Sequence, residues 1–212
     1  MLLKDKIKKE KRNLKEKCRC CGEMANYFSS AIIMGIKNID YFLCPICGFL
    51  QTEFPTWLDK AYKEAINDSD IGLLKRNLEF STVVEDVIKI YFNKDQNFLD
   101  WGGGYGLLAG LMREKGYNFY LYEPYAPNLF AKNYVYENEK IELITCFEVF
   151  EHFLKPYNEF EKIFSISKNI LFSTLLLPPD IPDPLKWPVS WSYYGLEHGQ
   201  HISFYQLKTL QK

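Results

Sequence analysis

The 212-residue sequence is short of several things, and each shortage excludes something. No apolar run approaches the ~20 residues that a bilayer span needs. The longest candidate, 163–177, is broken by Ser165, Ser167, Lys168 and Asn169. The first seventeen residues lack the apolar core of a secretion signal and are rich in lysine instead, so a cytoplasmic protein is expected. Net charge is scarce too, at −1, and unevenly spread. Residues 1–21 carry nine basic against three acidic side chains, +6, which leaves −7 for the remainder. The bulk of the chain is therefore a poor polyanion binder, and any nucleic-acid affinity would have to reside in that arm. Its plainer reading is a solvated, lysine-rich lead-in helix. With 47% apolar and 25% charged residues the chain is globular, long enough to bury roughly 70% of its unfolded surface without disulfide scaffolding.

The six cysteines are ordered. Cys18-Arg19-Cys20-Cys21-Gly22 and Cys44-Pro45-Ile46-Cys47-Gly48 each contain C-x-x-C-G, with 22 residues between Cys21 and Cys44. In a reducing compartment such pairs are metal ligands far more often than disulfides. The two-residue spacer presents both thiolates to one ion, and the glycine lets the backbone curl toward sulfur. Two such turns make a closed S₄ site for structural Zn²⁺, with Cys18, Cys21, Cys44 and Cys47 as ligands and Cys20 able to replace Cys18. Short strands at Tyr27–Ser30, Ala31–Gly35 and Ile39–Leu43 complete a zinc ribbon, while Cys146 sits in an apolar strand as a packed small hydrophobe.

Between the ribbon and the rest, Thr56–Ile66 and Leu73–Phe92 repeat apolar residues at three- and four-residue steps (Leu74, Leu78, Val83, Val84, Val87, Ile88, Tyr91) and are expected to be amphipathic helices. The expected organisation is a basic lead-in and ribbon over 1–50, a helical linker over 51–92 and an α/β domain over 93–212.

That domain opens with a strand, Asn97–Asp100, running into Asp100-Trp101-Gly102-Gly103-Gly104-Tyr105-Gly106 and a helix, Leu107–Lys115. A second strand, Tyr117–Tyr122, ends at Glu123. A glycine-rich first turn and an acid closing the second strand mark the nucleoside-binding half of a Rossmann-like, mostly parallel sheet flanked by helices. A dinucleotide fingerprint starting at Gly102 would need glycine where Leu107 stands. The spacing is G-x-G-x-G, with Asp100 two residues ahead. Asp100 would repel a pyrophosphate but suits a ligand carrying an ammonium and a sulfonium, which points to S-adenosylmethionine. Its carboxylate would meet the helix N-terminus, and Glu123 its ribose hydroxyls. A faint strand near Tyr134–Tyr136, a third apolar strand, Ile141–Cys146, the phrase Phe147-Glu148-Val149-Phe150-Glu151-His152, a helix around Pro156–Ser165 and a strand Asn169–Leu176 continue the pattern.

Asp100–Gly106, Glu123 and Cys146–His152 together resemble class I S-adenosylmethionine-dependent methyltransferases, closest to the ubiquinone-biosynthesis-like branch, over roughly Lys75 to the C-terminus. A C-x-x-C-G pair ahead of such a domain is similar to the zinc-containing sugar C-methyltransferases. The resemblance implies that Asp100, Gly102, Gly104 and Gly106 hold the methionine part, that Glu123 holds the ribose, and that Phe147 and Glu148 flank the adenine. It also implies a catalytic segment beyond the fifth strand, where Trp191, Tyr193, Tyr194, Glu197, His198, Gln200 and His201 crowd together. His201 precedes Ile202-Ser203-Phe204-Tyr205 and matches one family phrase; Glu197-His198 matches the other. Both histidines stand as candidates for the base, with Tyr194 and Glu197 beside them, while His152 is expected to pin the turn after the fourth strand. Family members add a closing pair of strands after the fifth, which are expected to be missing from this chain.

The reading is methyl transfer to a small polar acceptor, a sugar or sugar nucleotide in surface-glycan biosynthesis. Its competitors are a zinc-ribbon RNA methyltransferase working through the basic arm, and a non-catalytic zinc-ribbon assembly module. The expected partners are a small-molecule substrate, no membrane and no nucleic acid.

Overall fold

A computed structural model describes residues 13–63 and 72–211 and divides the chain into two compact units. One holds Met1–Ala61, Phe150–Glu159 and Leu175–Lys212; the other holds Tyr62–Val149 and Phe160–Thr174. Among the described residues no helix is long and apolar enough to cross a membrane. The lysine-rich arm before residue 13 and the end of the expected helix beyond residue 63 lie outside the described residues.

The first unit is built on an antiparallel sheet in the order β1 (Lys15–Lys17), β2 (Met24–Ile33), β3 (Lys37–Leu43), β4 (Leu50–Thr52) and β9 (Ser203–Phe204). Lys15–Lys17 is thus a strand, where a helical lead-in was expected. The two strands anticipated within 27–35 are one, because a bulge between Tyr27 and Ser29 keeps β2 paired with β3. Met34, at φ +52, and Gly35, at φ +67, then reverse the chain. Period-two alternation turns Ala31 and Ile33 of β2, and Ile39 and Tyr41 of β3, inward. They pack with Leu50, Trp57, Tyr194, Leu196, Ile202 and Phe204. β9 closes the layer: Leu50 pairs with Phe204 and Gln51 with Ser203, across some 150 residues of sequence. Helix α1 (Leu58–Ala61) follows Trp57, whose indole N–H donates to the Gly199 carbonyl at 2.8 Å.

The second unit is a four-stranded parallel sheet in the order β6 (Asn118–Tyr122), β5 (Asn97–Trp101), β7 (Leu143–Phe147), β8 (Ile170–Ser173). The faint strand near Tyr134–Tyr136 is a single parallel bridge, Val135 to Leu121, outside β6. Helices α2 (Leu73–Tyr91) and α3 (Leu107–Glu114) pack with the sheet through Val84, Ile88, Leu108, Ala109 and Met112. The apolar stripe of α2 is narrower than its sequence suggests. Leu74, Leu78, Val83 and Tyr91 are exposed, because at 100° per residue they fall off the arc that Ser81, Val84 and Ile88 bury. Helix α4 (Pro156–Ile166) begins in the first unit and ends in the second, and α5 (Leu207–Leu210) follows β9.

Phe204 is fully buried against Tyr41, Trp191 and Tyr194. Its truncation in Phe204→Ala is expected to cost about 3–5 kcal/mol, read as a lowered urea midpoint for the first unit. A shift below about 1 kcal/mol would show that β9 adds little to this core.

Candidate functional site

The four thiols come together as expected. Cys18, Cys21, Cys44 and Cys47 offer sulfur atoms all within 4.8 Å of one another, and Cys20 is outside the group. Sulfur separations of 3.7 Å (Cys18 to Cys47) and 3.5 Å (Cys21 to Cys44) approach the ~3.8 Å edge of a tetrahedron with Zn–S bonds of ~2.3 Å. The two turns are built alike. Cys18 N–H donates to Glu23 and Gly22 N–H to Cys18, and Cys44 N–H donates to Phe49 and Gly48 N–H to Cys44. Gly48 is required twice over: its φ is +78, and a Cβ there would fall 2.1 Å from Lys208 Cε and 2.3 Å from Gln206 Oε1. Thr209 also donates to the Cys47 carbonyl at 2.8 Å, so the second turn is clamped by the segment around α5. The hydrogen bond with Cys47 and burial push the Cys18 thiol well up; a cation shared by four sulfurs would supply the charge that thiolates there require.

In the second unit β5 lies between β6 and β7, so its carboxyl end is the point where strand order reverses, the usual ligand position in open parallel sheets. Asp100, Glu123 and Phe147 sit at or just beyond the ends of β5, β6 and β7. The glycine turn runs through positive φ at Gly102, Gly104 and Gly106. A Cβ on Gly102 would meet Val149 at 2.8 Å, and one on Gly103 would fall 2.1 Å from Asp100 Oδ2. Gly106 N–H donates to the Gly103 carbonyl, and Gly106 opens α3, whose first turn no side chain caps.

Glu123 turns toward this loop. Its Oε2 accepts from Gly104 N–H at 3.0 Å and its Oε1 from Tyr125 N–H at 2.6 Å. Trp101 stacks on Tyr122 with ring centres 4.0 Å apart. Asp100 is buried; Thr145 donates to its Oδ1 at 2.8 Å, while Oδ2 has no hydrogen-bond partner among the described residues. Burial, and secondarily the charge of Glu123, raises the Asp100 carboxyl to about 7, against the opposing Thr145 hydrogen bond. Thr145 went unnoticed in the sequence, although it is the one hydroxyl among the five residues of β7. Phe147 stacks on Phe80 at 4.1 Å, and Glu148, at φ +54, accepts from the Ser173 hydroxyl at 2.6 Å.

The expected catalytic residues His198, His201, Tyr194 and Glu197 belong to the first unit. Tyr194 is not a candidate for substrate contact. It is fully buried, its hydroxyl donates to the Pro182 carbonyl at 2.6 Å, and burial pushes that hydroxyl's acidity well out of reach. Tyr193 is the tyrosine beside His201, with ring centres 4.7 Å apart, and it donates to Glu151 Oε1 at 2.6 Å. Glu197 is exposed. His198 Nδ1 accepts from Gln200 N–H at 3.1 Å, which uses its lone pair on a turn. His201 Nδ1 lies 2.6 Å from the Tyr193 carbonyl, so Nδ1 carries the hydrogen and the lone pair is on Nε2. Burial, then the neighbouring His152 and His198, hold His201 well below the ordinary histidine range, so it is neutral. His152 Nδ1 meets the Gln200 carbonyl at 3.2 Å, and the following Ile202 N–H donates to Glu151 O, so the turn at Phe150–His152 is pinned much as anticipated. Glu151, fully buried beside these rings, was read only as part of its phrase; an acid directly before a histidine was the available signal.

A family described as "Methyltransferase domain" matches residues 74–212, well over half of the chain. Comparison with curated proteins finds no match. Among solved structures, an O-methyltransferase family 2 protein from Planctomyces limnophilus, crystallised with apigenin, aligns at a TM-score of 0.39 and 12% identity. The alignment covers 72% of this chain and 57% of that one, so the chain spans little more than half the length of that protein.

Two outcomes follow from this geometry. Cys44→Ser is expected to lose the bound zinc, measured as metal per chain, together with a lower melting temperature. An unchanged metal content would exclude Cys44 as a ligand. For Asp100, the folded carboxyl lies above its unfolded value of 3.8, so the fold binds the extra proton. Stability is then fully present below about pH 4 and falls as pH rises toward 7, by up to about 1.4 kcal/mol per pH unit. Asp100→Asn should lack that decline in urea unfolding between pH 4 and 7; parallel curves for the two proteins would mean that Asp100 is ionised in the fold.

Proposed function

The chain belongs to the methyltransferase-domain family, and we propose that it transfers a methyl group from S-adenosylmethionine to a small polar acceptor. The observation that carries the cofactor assignment is the Glu123 carboxylate aimed at the Gly104 amide across a loop with no room for side chains at Gly102 and Gly103. Asp100, Gly102, Gly104 and Gly106 would hold the methionine part, Glu123 the ribose, and the backbone at Phe147 and Glu148 the adenine side. S-adenosylmethionine supplies, when bound, an electrophilic methyl on a sulfonium.

The residues suit such a cationic guest. The buried Oδ2 of Asp100, which lacks a partner among the described residues, is a place for positive charge, and a nearby cation would return that carboxyl to its ionised form. The uncapped first turn of α3 offers N–H groups to a carboxylate. Glu123 already gathers three backbone amides, those of Gly104, Tyr125 and Ala126, and is therefore held in place before any ligand arrives. Displacing Gly104 N–H from Oε2 frees an acceptor for a ribose hydroxyl at little reorganisation.

For the acceptor we infer a sugar or sugar nucleotide, handled in the cytoplasm during surface-glycan synthesis, without a membrane or nucleic-acid partner. The support is the C-x-x-C-G pair ahead of the methyltransferase domain. Of the two histidines, His201 is the better base, since its Nε2 lone pair is not spent as the Nδ1 lone pair of His198 is.

Calorimetric titration with S-adenosylmethionine tests the cofactor. Saturable binding is expected, weakened roughly 10- to 100-fold in Glu123→Ala, as for a lost charged acceptor worth ~1.5–3 kcal/mol. No binding to the wild-type protein would overturn the assignment. Transfer of labelled methyl to nucleoside-diphosphate sugars, and none to RNA, is the expected acceptor outcome; label in RNA alone would reverse it.

A further inference from the structure

Outside the cysteine cluster, one other set of donor atoms gathers among the described residues of the first unit. Glu151, His152 and His201 each offer a ligand atom within 4.8 Å of the other two. We propose that these three residues bind a divalent transition-metal cation through one carboxylate oxygen and two imidazole nitrogens.

Four features of the cluster lead there. The tautomers are set from behind. His201 Nδ1 lies 2.6 Å from the Tyr193 carbonyl and His152 Nδ1 lies 3.2 Å from the Gln200 carbonyl. A carbonyl can only accept, so both Nδ1 atoms carry hydrogen and both lone pairs are on Nε2. A metal-binding histidine is typically held in this way, its far nitrogen donating to a backbone carbonyl. The carboxylate is oriented as well: Glu151 is fully buried, and the Tyr193 hydroxyl donates to its Oε1 at 2.6 Å. Tyr193 thereby fixes one imidazole through its carbonyl and the carboxylate through its hydroxyl.

The backbone under the ligands is stiff. Ile202 N–H donates to the Glu151 carbonyl at 2.9 Å, the Tyr205 hydroxyl to Phe150 at 2.8 Å, and the Ser203 hydroxyl to Phe153 at 2.7 Å. The turn that carries Glu151 and His152 is in this way riveted to the segment that carries His201. Finally, the cluster is poorly solvated, Glu151 being fully buried, so a cation held there would be weakly screened from its ligands.

Donors around a first-row cation at ~2.1 Å sit roughly 3–4 Å apart, so the three side chains need to draw in by no more than about 2 Å. Two imidazoles and a carboxylate favour Zn²⁺, Co²⁺ or Fe²⁺ over Mg²⁺ or Ca²⁺, and three protein ligands leave positions open to water or another oxygen ligand. Ligation and base duty compete for the one Nε2 lone pair of His201: the base role belongs to the metal-free form, and with the cation bound a ligated O–H would be acidified by the metal and lose its proton to bulk water. The site lies wholly within the first unit and stands whether or not the second unit binds a nucleoside.

The test is a Co²⁺ titration of the full chain after its cysteine site has been filled with Zn²⁺. One further Co²⁺ per chain is expected by equilibrium dialysis, with visible d–d absorption and without a thiolate-to-cobalt band. His152→Asn and His201→Asn, each retaining a side-chain amide to donate to the backbone carbonyl, should weaken that uptake about tenfold or more while keeping one zinc per chain. Glu151→Gln, which preserves the Tyr193 hydrogen bond, is the third arm and should weaken it likewise. Absence of a second equivalent in the wild-type protein overturns the proposal without reference to any variant. So does uptake that is unchanged in the variants that retain their zinc, or that carries the thiolate band.

Discussion

Four sulfur atoms drawn to within 4.8 Å of one another organise one end of the first unit. The two C-x-x-C-G turns place them at near-tetrahedral separations, and each turn is closed by the same pair of backbone hydrogen bonds. Metal ligation by such a set can contribute ~10–16 kcal/mol to folding, here beside the apolar core that β2, β3 and β9 build. The neighbouring contacts spread that rigidity. Gln51, between the turns in space, accepts from Arg19 N–H and donates to the Lys17 carbonyl, while Arg19 reaches the Ile202 carbonyl at 2.8 Å.

The second unit obeys a different constraint, the absence of side chains. At Gly102 and Gly103 the loop passes so near Val149, Asp100 and Leu121 that even a methyl group would collide. Gly102 N–H donates to the Tyr122 carbonyl and Gly106 N–H to Gly103, while Glu123 is drawn against the Gly104 amide. Burial behind this loop raises the Asp100 carboxyl to about 7, so it holds its proton more tightly than a solvated carboxyl does. Displaced carboxyls of this kind are common in functional clefts.

Much of this was legible in the chain itself because its signals are local. Paired C-x-x-C-G phrases, a strand running into D-x-G-x-G-x-G, and an acid closing the next strand each occupy a few residues, and each appears in place. What escaped was decided by distant partners. Nothing in Lys15–Lys17 announces a strand, since its pairing comes from Met24–Asn26. Ser203–Phe204 is too short to read as a strand without β4 beside it. Tyr193 and Tyr194 are alike in type and adjacent, yet the rotation of about 120° between neighbours in a 3-10 turn sends one into the core and the other to Glu151. Thr145 matters only through its register opposite Asp100.

The antiparallel pair formed by β4 and β9 has a consequence for how this protein would respond to loss of its metal. Gln51 and Leu50 stand three to four residues beyond Cys47, and their partners Ser203 and Phe204 stand two to three beyond His201. Zinc starvation would therefore loosen more than the ribbon: by slackening one strand it would release the grip on the other, and with it the segment bearing the histidines. Were zinc held by the four sulfurs, its supply would bear on the order of a histidine-bearing segment far away in sequence.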